Sequence, residues 1–272
     1  MPLRGVPFSV RKATPLDTSS RWLGYIVGVL YGDGHLNKNY FVLGARDKDF
    51  VEYFQCAMVE AGFGWRRIRK AWVTYKGERR LVWRLEAYGR RDVEQLEERF
   101  GPFTTFEWRV ASSIKDLPLA FRIGLLQGFY DSEGFVALGK RGKNQVAMVG
   151  ASVSNHEGLK DIAELLRDLG YRPTIFKGKK KAHPQCRMML AKLDDVARFR
   201  ERIGFRIQRK HTMLDNANLG FQRVPWTQGE DEKIMALVKQ GLSYPAVSRI
   251  LKGRSPASVQ HRVDRLRKRM AA

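Results

Sequence analysis

The sequence predicts an α+β protein made of two similar repeats, followed by a small all-α domain. Three observations carry this. A motif recurs at a constant offset of 100 residues: "YIVGVLYGDGHL" (25–36) returns as "LLQGFYDSEGFV" (125–136). After each copy, helix-spaced and alternating stretches follow in the same order. The last 50 or so residues fit neither copy. The predicted division is an arm at 1–20, repeats at 21–116 and 117–222, and a C-terminal domain at 223–272.

Each repeat opens on a helix with one face of small residues. Gly24, Gly28 and Gly32 fall at i, i+4 and i+8, as do Gly124, Gly128 and Ser132. Residues four apart share a helix face. A face without side chains lets two backbones approach closely, so the two copies should pack on each other. "FVEYFQCAMVEAGFG" (50–64) and "GLKDIAELLRDLGYR" (158–172) are then helices closed by glycine. Basic alternating stretches follow at 65–89 and 171–193, the first with a turn at Lys76-Gly77. "RRDVEQLEERFG" (90–101) and "LDDVARFRERIG" (193–204) are the second helices of each repeat. Two duplicated α+β units are the simplest account.

Composition narrows the partners. The chain has 272 residues, 50 Lys and Arg against 28 Asp and Glu, and a net charge of +22. Such an excess repels itself unless a polyanion neutralises it, and nucleic acid is the usual one. The basic residues run along the whole chain, unlike the single amphipathic helix of a membrane-surface protein. Two distant cysteines and five scattered histidines argue against a zinc site or a disulfide framework. No signal-peptide core opens the chain, and no apolar run reaches the ~20 residues of a membrane span. An intracellular, nucleic-acid-associated protein without a membrane segment is expected, cytoplasmic or nucleoid-associated in a prokaryote.

Each small-residue face ends at an acid followed by glycine, Asp33-Gly34 and Glu133-Gly134. Packing the helices brings these acids side by side. Two carboxylates at such range repel unless a cation sits between them, and a divalent ion is the natural occupant. An acid at a helix C-terminus is disfavoured by the macrodipole, so its appearance twice in register points to chemistry.

At these residues the chain resembles the LAGLIDADG homing endonucleases in their single-chain, two-motif form. Ile26 to Gly34 is the first motif and Leu126 to Gly134 the second; the resemblance covers roughly residues 21 to 220. Tyr31 stands at the usual first acid, which Asp131 matches in the second copy, and Gln127 replaces a small residue. The resemblance implies two pseudo-symmetric αββαββα halves forming a DNA-binding saddle, in a functional monomer. It implies hydrolysis of both strands of double-stranded DNA, with Asp33 and Glu133 holding Mg²⁺ (Mn²⁺ as substitute), helped by the backbone carbonyls of Gly32 and Ser132. Arg46, in "YFVLGARDK", and Lys210, in "IGFRIQRKH", take the place of the basic residues near the scissile phosphates. The sheets would lie along the major groove, where alternate strand residues reach bases and phosphates. Candidates are Arg67, Arg69, Arg79, Arg80 and Arg84 in the first half, and Lys177, Lys179, Lys180, Lys181 and Arg187 in the second. His35 lies next to the first motif and is more simply a loop residue.

The C-terminal stretch 224–270 is basic and carries its own caps. Thr227 with Glu230 forms a capping-box pattern, and Ser243 and Ser255 are N-cap candidates, each with a proline in the following turn. Three short helices on this plan read as a helix-turn-helix. The start at Trp226-Thr227 and "GRSPASVQHRVDRL" resemble a Myb/SANT-type module, although its later tryptophans are missing. The last helix is expected to present Gln260, His261, Arg262, Arg265 and Lys268 outward, with Gln260, Arg262 and Arg265 on DNA. Competing functions on the same fold are an RNA maturase, with intron RNA as partner, and a non-cleaving DNA-binding regulator. Splicing-type ends are missing from the sequence, so a free-standing or intron-encoded protein is expected rather than an intein.

Overall fold

A computed structural model describes residues 14–75, 77–141, 144–178, 185–216, 226–251 and 254–270. The chain divides into two compact units, 1–220 and 221–272. The expected residues Lys179, Lys180 and Lys181, and most of the 1–20 arm, lie outside the described residues, as does the side chain of Lys268.

Unit 1 repeats one order of elements twice. The first copy runs α1 (Arg21–Leu30), β1 (Gly34–Asn37), β2 (Tyr40–Ala45), α2 (Lys48–Glu60), β3 (Arg69–Tyr75), β4 (Glu78–Tyr88), α3 (Arg90–Phe100). The second runs α4 (Leu119–Glu133), β5 (Gly134–Arg141), β6 (Asn144–Val153), α5 (His156–Asp168), β7 (Thr174–Phe176), β8 (Cys186–Leu190), α6 (Leu193–Arg202). This is the expected αββαββα plan, and α7 (Gln208–Asp215) follows it. Each copy makes a four-stranded antiparallel sheet, ordered β1-β2-β4-β3 and β5-β6-β8-β7. In each sheet one face is apolar: Phe41, Leu43, Leu85 and Ala87 in the first, Ala147, Val149, Ala151, Met188 and Leu190 in the second, all buried. The helices cover these faces and share one core.

Helices α1 and α4 form the centre of the unit and pack along their glycine faces. A Cβ on Gly28 would overlap the carbonyl oxygen of Leu125, and one on Gly128 that of Tyr25. Gly24 and Gly124 stand the same way against the carbonyls of Phe121 and Arg21. Each backbone thus lies on the other with nothing between. Ser20 caps α1 by accepting from the amides of Trp22 and Leu23.

Unit 2 contains α8 (Gln228–Lys239), α9 (Tyr244–Ile250) and α10 (Pro256–Met270). Ile234, Val247, Leu251, Val259 and Val263 make its own core. The capping box forms: Thr227 Oγ1 accepts from the Glu230 amide at 3.2 Å, and Glu230 accepts from the Thr227 amide at 2.9 Å. Ser255 Oγ accepts from the Ser258 amide at 3.2 Å and caps α10. Ser243 precedes α9, with no side-chain cap bond.

Candidate metal and nucleic-acid site

The two acids meet where α1 and α4 end. Glu133 is the last residue of α4, whereas Asp33 lies beyond the α1 cap, Tyr31, in the turn leading to β1. The glycines after them allow a close approach of strand and helix. Gly134 is extended (φ −80°, ψ 154°), and a Cβ there would collide with the Tyr130 carbonyl. A Cβ on Gly34 would come within 2.8 Å of Leu30 Cα. Both glycines are needed because the strand leaves hard against the helix it follows.

The pair is electrostatically strained as it stands. Burial and the nearby Asp33 charge push the Glu133 carboxyl up to about 8, while Lys210 pulls it back. Asp33 is raised by the desolvation of its protein-facing side and lowered by Lys210. Hard oxygen donors raised in this way suit a divalent cation, which favours their charged forms. Among the described residues no cluster of three or more His, Cys, Asp or Glu converges. The donor set is therefore two carboxylates plus nearby backbone oxygens. That fits an ion that completes its shell with water and substrate phosphate.

Lys210 lies in the first turn of α7 and is 7% exposed. Its Nζ donates to the carbonyls of Tyr130 (3.3 Å), Asp131 and Ser132 (3.2 Å), so a cation closes the negative end of α4. Burial lowers its proton affinity, and the charges of Asp131 and Asp33 hold it up. Asp131 anchors this arrangement: it accepts from Tyr25 Oη at 2.8 Å and from the Arg206 amide at 2.8 Å. Arg46 is exposed and lies one residue past the end of β2.

Among the described residues, the first half shows no counterpart of this polar network. Aligning Phe103 with Phe205 puts Trp108 at the position of Lys210, just as Tyr31 matches Asp131. Tyr31 stacks against Phe103 and Trp108 at 5.0 and 5.2 Å between ring centroids. Its hydroxyl donates to the Phe100 carbonyl at 2.7 Å. On the Glu133 side there is instead a cavity of about 370 Å³, bordered by His35, Thr104, Thr105, Ser152 and Ser154. Gln127, another departure from the motif, is buried and joins Arg21 to the Ile203 carbonyl.

The sheet faces sort the expected DNA residues. Strand alternation and register put Arg69, Arg80 and Arg84 on the outer face of the first sheet, away from the helices. Arg79 points to the other face, where its guanidinium lies 5.2 Å from the ring centre of Trp72. Arg67 is exposed before β3, and Lys177 is exposed after β7. Arg187 is on the outer face of the second sheet, opposite Ser152 and Phe176. In α10, Gln260, His261 and Arg265 are exposed. Arg262 is not presented outward: it is bound to Asp231 by bonds of 2.7 and 2.5 Å and is 16% exposed.

Comparison with known proteins agrees with this architecture. A family profile described as a LAGLIDADG-like domain matches residues 120–204, within the second repeat. Homing endonuclease I-ApeI of Aeropyrum pernix is 29% identical over 194 residues, covering 68% of this chain and 81% of that protein. An uncharacterized protein of Methanocaldococcus jannaschii, MJ0398, is 25% identical over 229 residues, covering 76% of this chain and 75% of its own. The structure of homing endonuclease I-WcaI bound to its DNA recognition sequence superposes with a TM-score of 0.53 at 14% identity, covering 73% of this chain and 88% of that one. The fold is that of the LAGLIDADG homing endonucleases.

Proposed function

We propose that this chain is a site-specific double-strand DNA endonuclease that hydrolyses phosphodiester bonds with a divalent cation. The observation that carries the reading is the pair Asp33 and Glu133, placed together by two glycine-packed helices with raised carboxyl proton affinities. A divalent cation held there supplies Lewis-acid activation of the phosphodiester and of the attacking water. Asp33 and Glu133 would hold it, with the carbonyls of Gly32 and of Ser132, which also accepts from Lys210, as further oxygens. Mg²⁺ is the expected ion and Mn²⁺ a substitute, since both take carboxylate and phosphate oxygens.

The rest is positioning and charge. Lys210 places a fixed positive charge beside the Asp33 half, where negative charge builds up on the reacting phosphate. Asp131 and Tyr25 fix the start of α7 and with it that lysine. On the Glu133 side there is instead a cavity of mixed lining, with Glu97 and Glu133 beside Thr104, Ser152 and Trp108, and room for ordered water. The arginines of the outer sheet face supply phosphate and base contacts, and unit 2 adds helix-turn-helix contacts at one flank, in a protein acting as a monomer.

The test is incubation of the purified chain with a randomised duplex library, with and without Mg²⁺ or Mn²⁺, and sequencing of cut ends. Asp33→Asn and Glu133→Gln should each abolish cutting while leaving DNA binding nearly intact. Cutting at the wild-type rate by either variant removes the site assignment; binding without cutting by the wild type makes the chain a regulator.

A further inference from the structure

On the outer face of the first sheet, one carboxylate sits among cations. Register places Arg69 directly opposite Arg84, and Glu86 one alternate position along β4. Glu86 Oε1 accepts from Arg84 Nε at 2.8 Å, and Oε2 accepts from Tyr88 Oη at 2.9 Å. The Arg69 guanidinium lies 3.5 Å from the same Oε2, and the Glu86 side chain is only 18% exposed. Like charges facing each other across a sheet repel, and Glu86 offsets that repulsion. An acid on a surface meant for phosphates is itself unfavourable, so its place between two arginines calls for a local reason.

The reason lies in how Arg84 is held. A guanidinium engaged through Nε has its plane fixed, and the end-on pair of N–H groups, one on each terminal nitrogen, points past the carboxylate. That free fork matches the O6 and N7 acceptors of guanine in the major groove. Arg80 is held differently. Its Nε and one terminal nitrogen both go to Glu78 Oε2, at 3.2 and 2.6 Å, so the neighbouring acid ties one of the two terminal nitrogens that guanine would need.

Resting on the proposed DNA interface, we infer that Glu86 is a specificity-determining positioning residue. It aims Arg84 at a guanine edge in the half of the target met by the first sheet. Tyr88 holds the carboxylate, and Arg69 is the second cation it steadies.

The experiment selects duplexes from a randomised library with the full chain and with Glu86→Ala, Glu86→Gln and Arg84→Ala. It reads base preference position by position, together with melting temperature and salt slope. The wild type should prefer guanine at one position by about tenfold or more. Glu86→Ala and Arg84→Ala should both flatten that position and leave the others unchanged. Neither Arg84→Ala nor Glu86→Ala should lower the salt slope by the roughly 0.9 that marks a lost phosphate contact, because Arg84 meets a base edge; a drop of that size in Arg84→Ala would make it a phosphate contact and overturn the inference. Glu86→Gln should retain part of the preference, because its amide oxygen still accepts from Nε. If Glu86→Ala keeps the full preference while Arg84→Ala loses it, Arg84 reads unaided and the inference falls. Uniform loss at every position also overturns it, as would be expected of a merely structural effect. A wild type that selects no sequence fails the DNA-reading proposal first, before any substitution is made.

Discussion

Glu133 is a residue whose charged form is disfavoured in the free protein and would be favoured by the cation of the proposed function. Its carboxyl is pushed to about 8 in the folded chain, against an ordinary 4.5. Between those values the folded state binds more protons than the unfolded state, so stability falls as pH rises, and levels off above about 8. Asp131, raised to about 6, adds a slope of the same sign at lower pH. Glu133→Gln removes the Glu133 contribution and leaves that of Asp131. In the metal-free protein, the drop in melting temperature between pH 5 and 8 should be larger for the wild type than for Glu133→Gln. A divalent cation should recover stability most at the upper end, where it competes with fewer protons. Equal pH slopes in the two proteins would count against this account.

A second contrast at the same scale separates two arginines of α10. Arg262 and Asp231 shield each other, 16% and 18% exposed, and Arg262 also approaches the Trp226 ring. Arg262→Ala leaves a half-buried carboxylate without its partner and should destabilise unit 2 by about 1.5–3 kcal/mol. Arg265 is exposed. Its removal should change stability by less than ~0.5 kcal/mol, while lowering the salt slope of DNA binding by about 0.9. Thermal melts and salt titrations of both variants decide it. Helical spacing puts both on one outward face, because spacing alone does not show which charge finds a partner on another helix.

Between elements, the contact of α1 with α4 is where sequence and structure agree best. The spacing of Gly24, Gly28, Gly124 and Gly128 is readable because only a backbone contact requires small residues at every fourth position. The structure makes the expectation stricter. Overpacking typically costs about 1–3 kcal/mol because side chains can shift. At Gly28 the obstacle is a carbonyl and the Phe129 amide, 2.8 Å from an added Cβ, and neither can move without its helix. Even Gly28→Ala should therefore reach the upper end of that range, lowering the melting temperature by roughly 6–12 °C. An unchanged melt would show that the helices do not meet there in solution. Other neighbours leave no periodic trace. Trp108 lies in the connection between repeats, yet its ring fills the space that a side chain on Gly158 would take. Alternation in β4 is visible in the sequence, but which parity faces the helices is not. That is why the sequence groups Arg79 with Arg80 although their side chains point to opposite faces.

At the scale of the whole chain, the duplication explains the fold and its divergence explains the site. Two copies of one plan bring two acids together, but among the described residues the polar Asp131–Lys210 arrangement is formed in one half, where the other has Tyr31 and Trp108. The acids are legible because duplication doubles a signal that is weak alone. The asymmetry is not, since Lys210 sits far along the chain from the carbonyls it caps. Unit 2 lies outside the duplication, has its own core of Ile234, Val247, Leu251, Val259 and Val263, and has its own capping box. Unit 1 holds both acids, Lys210 and both sheets. A chain ending near Arg223 should therefore fold and still cut. Its binding should weaken and its salt slope shrink, by about 0.9 for each phosphate that unit 2 neutralises in the full chain. Its footprint should shorten on one side only, because the module occurs once while the repeats occur twice. An unchanged footprint and salt slope would reduce unit 2 to a packing appendage. A truncated chain that binds normally but no longer cuts would mean that unit 2 contributes to the chemistry, against the placement of both acids in unit 1.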